Sequence, residues 1–290
     1  MSGRSYKGIA VLCIAVALLA AVAAAFGVFG RGSGDTVSAV SIRGERFEYV
    51  VDGVYAYNAE RVVAEGIGWD AVTLFLAVPA LLLTVYGVAK GSLSARLLAV
   101  GLLGYFFYQY LMYALAWAFG PLLPLFIVIF VAAAAGIVGI VGTIDVATLP
   151  GRFDARFPRK AMAVFSLAVG LLLVGMWSQR IATALSGDID GILYGATTLS
   201  VQVLDLGIIV PIAVTTAVLL WRSQSWGYLL ATSLAVKGVT MAAAICAMLI
   251  VAASTEGSLE VGGFVTFALV AVASGILAFR MLRSIRPGAA

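Results

Sequence analysis

Six polar residues stand inside apolar stretches of this sequence: Asp70, Tyr105, Gln109, Gln202, Asp205 and Lys237. Hydrocarbon excludes such groups unless they face a bundle interior or a water-filled cavity. Their spacing is ordered. Asp70 and Thr73 stand at i, i+3, and Gln202 and Asp205 repeat that step. Tyr105, Tyr108, Gln109, Met112 and Tyr113 fall on one helical face. Lys237, Thr240, Met241 and Ile245 share a face of another helix, with Ser233 one turn earlier. Four polar stripes turned to a common side are expected to line a site for binding, or for binding and passage, of a small polar or ionic solute. A carboxylate and an ammonium there would supply charge recognition, with amide and phenol groups setting orientation.

Other chemistries are not encoded in a recognisable form. The chain has no histidine, which removes imidazole bases and His-ligated metals. It has no GxSxG, HExxH or P-loop motif. Its two cysteines, Cys13 and Cys246, lie in apolar runs and form no CxxC. No catalytic residue, metal or cofactor is expected. An intramembrane enzyme acting on a lipid is a rival reading, and would have to work with Asp, Lys or Tyr alone. The third reading is a scaffold or sensor that recognises a partner through a polar loop.

The elements that must position these residues are apolar. Of 290 residues 63% are hydrophobic and 11% charged, against about 25% charged in a soluble domain. Runs of ~20 apolar residues read as membrane spans. The first is Gly8–Phe29, taken as a retained helix because it exceeds a signal-peptide core. Seven more follow, at about Trp69–Ala89, Leu97–Phe119, Leu122–Ile144, Ala161–Ile181, Leu199–Trp221, Gly227–Ala253 and Gly263–Phe279. The expected fold is therefore an all-α membrane protein of eight transmembrane helices. Residues 31–68 form the one sizeable polar segment. Alternation in Thr36–Ile42, Phe47–Val51 and Val54–Tyr57 predicts a small β cap, with Asp52-Gly53 as a hairpin turn. Asn58 is expected to cap a short helix ending at Glu65.

Lys and Arg set the orientation. With the N-terminus in the cytoplasm, twelve basic residues lie inside, from Arg4 to Arg286, and five outside. That is a positive-inside pattern, and it places both termini in the cytoplasm and the β cap outside a plasma membrane. The net charge of +4 then reflects topology and the anionic inner leaflet, with no nucleic-acid partner implied.

The chain also repeats itself. Shifting Gln202–Ile245 by 132 residues lays it on Asp70–Tyr113 without a gap. Pro211 falls on Pro79, Arg222 on Lys90, and Lys237 on Tyr105. Gly136, Gly139 and Gly142 fall on Ala268, Ala271 and Ser274, a small-residue stripe for close helix approach. Two parallel four-helix repeats are expected, in 1–145 and 146–290. Each proline removes a helical donor and pushes away a carbonyl, that of Phe75 or Gly207. Lys237, level with Pro211, is expected to reach the Gly207 carbonyl or Asp205. Asp70 is placed near the outer boundary, and Asp205 about 9 Å inside it at 1.5 Å per residue.

The run from Leu204-Asp205 through Pro211, Leu220-Trp221-Arg222 and Trp226–Ala231 to Val236–Thr240 resembles segments of uncharacterised polytopic prokaryotic membrane proteins. Trp69–Leu74 resembles them too. The likeness spans helices two, three, six and seven. It implies no ligand, substrate or catalytic residue.

Overall fold

The computed structural model describes residues 3–286, with the Arg4 side chain outside the described residues. Eight helices are long and apolar enough to cross a membrane: Ser5–Phe29, Glu60–Ala89, Leu93–Ala116, Leu123–Val141, Arg159–Leu185, Ser200–Trp221, Ser225–Glu256 and Val261–Arg283. They are numbered one to eight below. The chain is a multi-pass membrane protein by this measure. In hydrocarbon a helix satisfies every backbone group internally, so apolar runs of this length settle on it.

The helices pack as neighbours: one on two, three on four, five on six, and seven on eight. Helix seven runs through the middle, against two, three and six. Two glycines let it come close. A Cβ on Gly68 of helix two would lie 2.5 Å from the Ala247 carbonyl oxygen, and one on Gly101 of helix three 2.8 Å from that of Ser233. Helix eight is held along its length by helix seven almost alone. Its far end is pinned separately, where the Asp154 N–H donates to the Ser284 carbonyl (2.8 Å) and the Arg286 N–H to that of Arg152 (2.9 Å).

Helices two and six share an irregularity. Each contains one wide π-type turn, at Thr73–Ala77 and at Asp205–Ile209, followed at once by a helix that begins Val-Pro. The wide turn ends before a proline that has no N–H to donate and whose ring needs room. The two turns stand 132 residues apart.

The polar cap differs from expectation in three ways. The hairpin forms between β1, Thr36–Val40, and β2, Arg46–Val50. Its turn is at Ser41–Glu45, where Gly44 takes φ +88°. Asp52-Gly53 makes no hairpin, because the Asp52 carboxylate instead accepts the distant Ser33 N–H (2.8 Å). Val54–Tyr57 consequently forms turns and no third strand. Asn58 does not cap a helix. Its Oδ1 accepts the Ala118 N–H (2.8 Å) and its Nδ2 donates to the Tyr55 carbonyl (3.0 Å), tying the cap to the end of helix three. Finally, the segment after Asn58 is no separate short helix. It runs straight into helix two, which starts at Glu60. Asp70 therefore lies about 15 Å from the start of that helix.

Candidate functional site

The six expected site residues fall into two groups. Asp70, Tyr105 and Gln109 are fully buried between helices, each at 0% exposure. Gln202, Asp205 and Lys237 line a cavity of about 710 Å³.

The first group is a closed hydrogen-bond network. Asp70 Oδ1 accepts from Gln109 Nε2 and from the Tyr113 hydroxyl, both at 3.3 Å, and Oδ2 accepts from the Tyr55 hydroxyl. Thr73 Oγ1 donates to Gln109 Oε1 (2.7 Å) and lies 2.7 Å from the Tyr105 hydroxyl. Neutral donors surround the carboxyl, and among the described residues it has no ion pair. Burial, with the Asp70 carboxyl beside it, holds the Tyr55 phenol well above its usual range, so Tyr55 stays a donor. Gly27 of helix one seals the group, since a Cβ there would meet Asp70 Oδ2 at 1.9 Å. The arrangement holds the cap to helices two and three. It leaves no room for a ligand.

The second group is built by four helices. Asp205, the first residue of the π-type turn in helix six, accepts from the Tyr108 hydroxyl of helix three (2.5 Å) on Oδ1. It accepts from Trp177 Nε1 of helix five (2.8 Å) on Oδ2. Lys237 of helix seven places Nζ over the Tyr108 ring, 4.3 Å from its centroid. It lies within electrostatic reach of Asp205 without forming an ion pair, and among the described residues it makes no hydrogen bond. A cation over an aromatic face contributes roughly 0.5–2 kcal/mol. Lys237 is also one of the residues that line the cavity.

The rest of the wall is mostly apolar, with Leu173, Met176, Ile209, Met241 and Phe267 among it. The hairpin end is charged. There Arg61 pairs with Glu65 (2.9 Å) and with Glu256, and its guanidinium lies 5.9 Å from the Tyr194 ring. Arg180 Nη2 donates to the carbonyls of Gly191 (3.1 Å) and Ile192 (2.9 Å), while its buried Nε has no partner. Loop 186–199 covers this end and is itself held by the hairpin. The buried Glu45 carboxylate accepts the backbone N–H of Tyr194 (2.8 Å) and of Gly195 (2.9 Å). Phe47 packs so close to Gly195 that a Cβ there would lie 2.3 Å from the ring.

Sequence reasoning missed Trp177, Tyr55 and Arg180. Trp177 and Arg180 near a helix end read as interfacial anchors, and Tyr55 as a strand residue. The spacing did put Tyr108 on the right face. Ser233 and Thr240, expected in the polar stripe, donate instead to the Leu229 and Lys237 carbonyls of their own helix (both 3.0 Å). Compared with known proteins, the chain matches no family model, no curated protein and no solved structure.

Proposed function

We propose that this protein binds a small solute in the cavity between helices five, six, seven and eight, and works as a transporter-like membrane protein. One observation carries the reading: the Lys237 ammonium faces the cavity with no hydrogen bond or ion pair among the described residues. A lysine near mid-helix costs roughly 2.5–3.5 kcal/mol on insertion scales. A lysine that only joined two helices would close on Asp205, whereas Lys237 places its Nζ over the Tyr108 ring and, among the described residues, forms no ion pair with that carboxylate. The cavity volume lies in the range of small-molecule sites.

The two-repeat reading, 1–145 and 146–290, belongs to this proposal. In its favour, both π-type turns and both Val-Pro helices recur at the same offset. Tyr105 meets Thr73 in the first half where Lys237 lies near Asp205 in the second, at equivalent positions. The pairings one–two, two–three and three–four also recur as five–six, six–seven and seven–eight. On this view the halves are related by an axis along the membrane normal. The second half carries the charges and the cavity, and the first has closed over the equivalent place with neutral groups. Both termini are placed in the cytoplasm of a plasma membrane, with the hairpin outside.

The test is a thermal-shift screen of organic anions, cations and neutral solutes on the purified protein in lipid discs. Lys237→Met keeps the length of the side chain and is expected to fold normally while losing the ligand-induced rise in Tm. If Lys237→Met and Asp205→Asn both keep the full rise, the cavity is not the binding site.

A further inference from the structure

We infer that the cavity's occupant is an anionic amphiphile taken from the bilayer, with its anionic group at Lys237 and its apolar body in the cleft between helices five and six and helix eight. The inference rests on the reading that this cavity binds a ligand, and adds the ligand's class and its route.

Charge comes first. Two donors in the wall are without a hydrogen-bond partner among the described residues, the Lys237 ammonium and the buried Arg180 Nε, and the Gln202 amide offers both a donor and an acceptor. The acids are largely occupied. Both Asp205 oxygens accept hydrogen bonds, and Glu65 and Glu256 are paired with Arg61. Glu260 also lines the cavity, at the hairpin end of helix eight. Lys237 lies about 28 Å along helix seven from that end. The deep part of the cavity therefore favours an acceptor-rich, negative group over a cation.

The walls decide the rest of the ligand. The apolar wall includes Val169 and Leu173 of helix five, Ile209 and Ile212 of helix six, and Phe267 and Val270 of helix eight. A small hydrophilic anion gains nothing from such a surface, whereas an alkyl body gains roughly 25 cal/mol for each Å² removed from water. Helix eight is the wall with the fewest neighbours. Helix eight leans on helix seven and is pinned only at its far end, near Ser284. Ile212 lines the cavity and is 38% exposed. Most cavity residues on helices five, six and eight lie in the half nearer the hairpin, away from the pinned end of helix eight.

The experiment uses the full chain in discs of neutral phosphatidylcholine and measures saturable binding of radiolabelled dodecanoate. Dodecyl phosphate, acetate, inorganic phosphate and dodecyltrimethylammonium are the competitors. Dodecanoate is expected to bind, dodecyl phosphate to compete, and the other three to fail. The relative strength of the first two tells whether a carboxylate or a phosphate fits better. Lys237→Met should weaken dodecanoate by roughly ten-fold or more, as for loss of a charged hydrogen bond. Val270→Trp, which fills the apolar cleft and leaves the polar floor intact, should weaken it as well and covers the case in which Lys237→Met misfolds. Acetate or inorganic phosphate binding as well as dodecanoate, with dependence on Lys237, would overturn the amphiphile and leave the solute site standing. Equal competition by dodecyltrimethylammonium would overturn the charge assignment. Binding by no probe would sink this inference, while the separate solute screen decides the reading beneath it.

Discussion

Asp70 takes its hydrogen bonds from Tyr55, Tyr113 and Gln109, and Asp205 takes its own from Tyr108 and Trp177. Both acids thus sit among neutral donors inside apolar helices, where an unsatisfied carboxyl would cost several kcal/mol. They differ in what lies beyond those donors. Asp70 meets packed helix, and Asp205 meets a cavity with a free ammonium near it. The tightness around Asp70 gives a residue-scale prediction. Gly27→Ala places a methyl group 1.9 Å from Oδ2, so helix one or the network must move. Overpacking of this kind costs about 1–3 kcal/mol. Thermal unfolding in lipid discs should show a lowered Tm, and a Tm equal to that of the parent protein would mean that helix one does not seat on Asp70.

Among the elements, loop 186–199 and the hairpin act together. The loop carries four residues of positive φ, Gly187, Gly191, Tyr194 at +50° and Gly195 at +78°, and the successive N–H groups of the last two converge on Glu45. Such a pair of N–H groups is a natural anion seat, and here a side chain from β2's leading turn fills it. Glu45→Ala should leave the eight helices intact and free the loop. Amide hydrogen exchange at Tyr194 and Gly195 is expected to rise by roughly ten-fold or more, as for loss of one charged hydrogen bond. Unchanged exchange would show that Phe47 packing and the Arg180 hydrogen bonds hold the loop without Glu45. The π-type turns are the other element of consequence. Each widens a helix just where a polar residue, Thr73 or Asp205, points inward.

At the scale of the molecule, orientation follows from the loops. The proposed topology puts Ser38 outside and Gln224 inside, and both positions are exposed. Cysteines placed at each should react differently with a membrane-impermeant reagent on intact cells: Ser38→Cys labels, and Gln224→Cys labels only after permeabilisation. The native Cys13 is fully buried and gives little background. The reverse pattern would invert the chain.

The sequence by itself determined the eight helices, because the need to satisfy every backbone group in hydrocarbon leaves an apolar run of ~20 residues few choices. It also determined which faces were polar, since helical spacing alone puts Tyr105, Tyr108, Gln109 and Tyr113 on one side. The cap was less legible. Asp52-Gly53 has the composition of a turn, yet Asp52 bonds Ser33 19 residues away, and no local pattern reports such a partner. Tertiary structure alone decided that one expected site was two. Asp70 and Asp205 differ little as sequence features. What separates them is that helix one packs onto helix two and seals Asp70, while helix eight leans on helix seven and leaves Asp205 and Lys237 facing open space. Helix-to-helix approach is set by the sizes of side chains on both partners at once, and a single run of residues does not contain its partner.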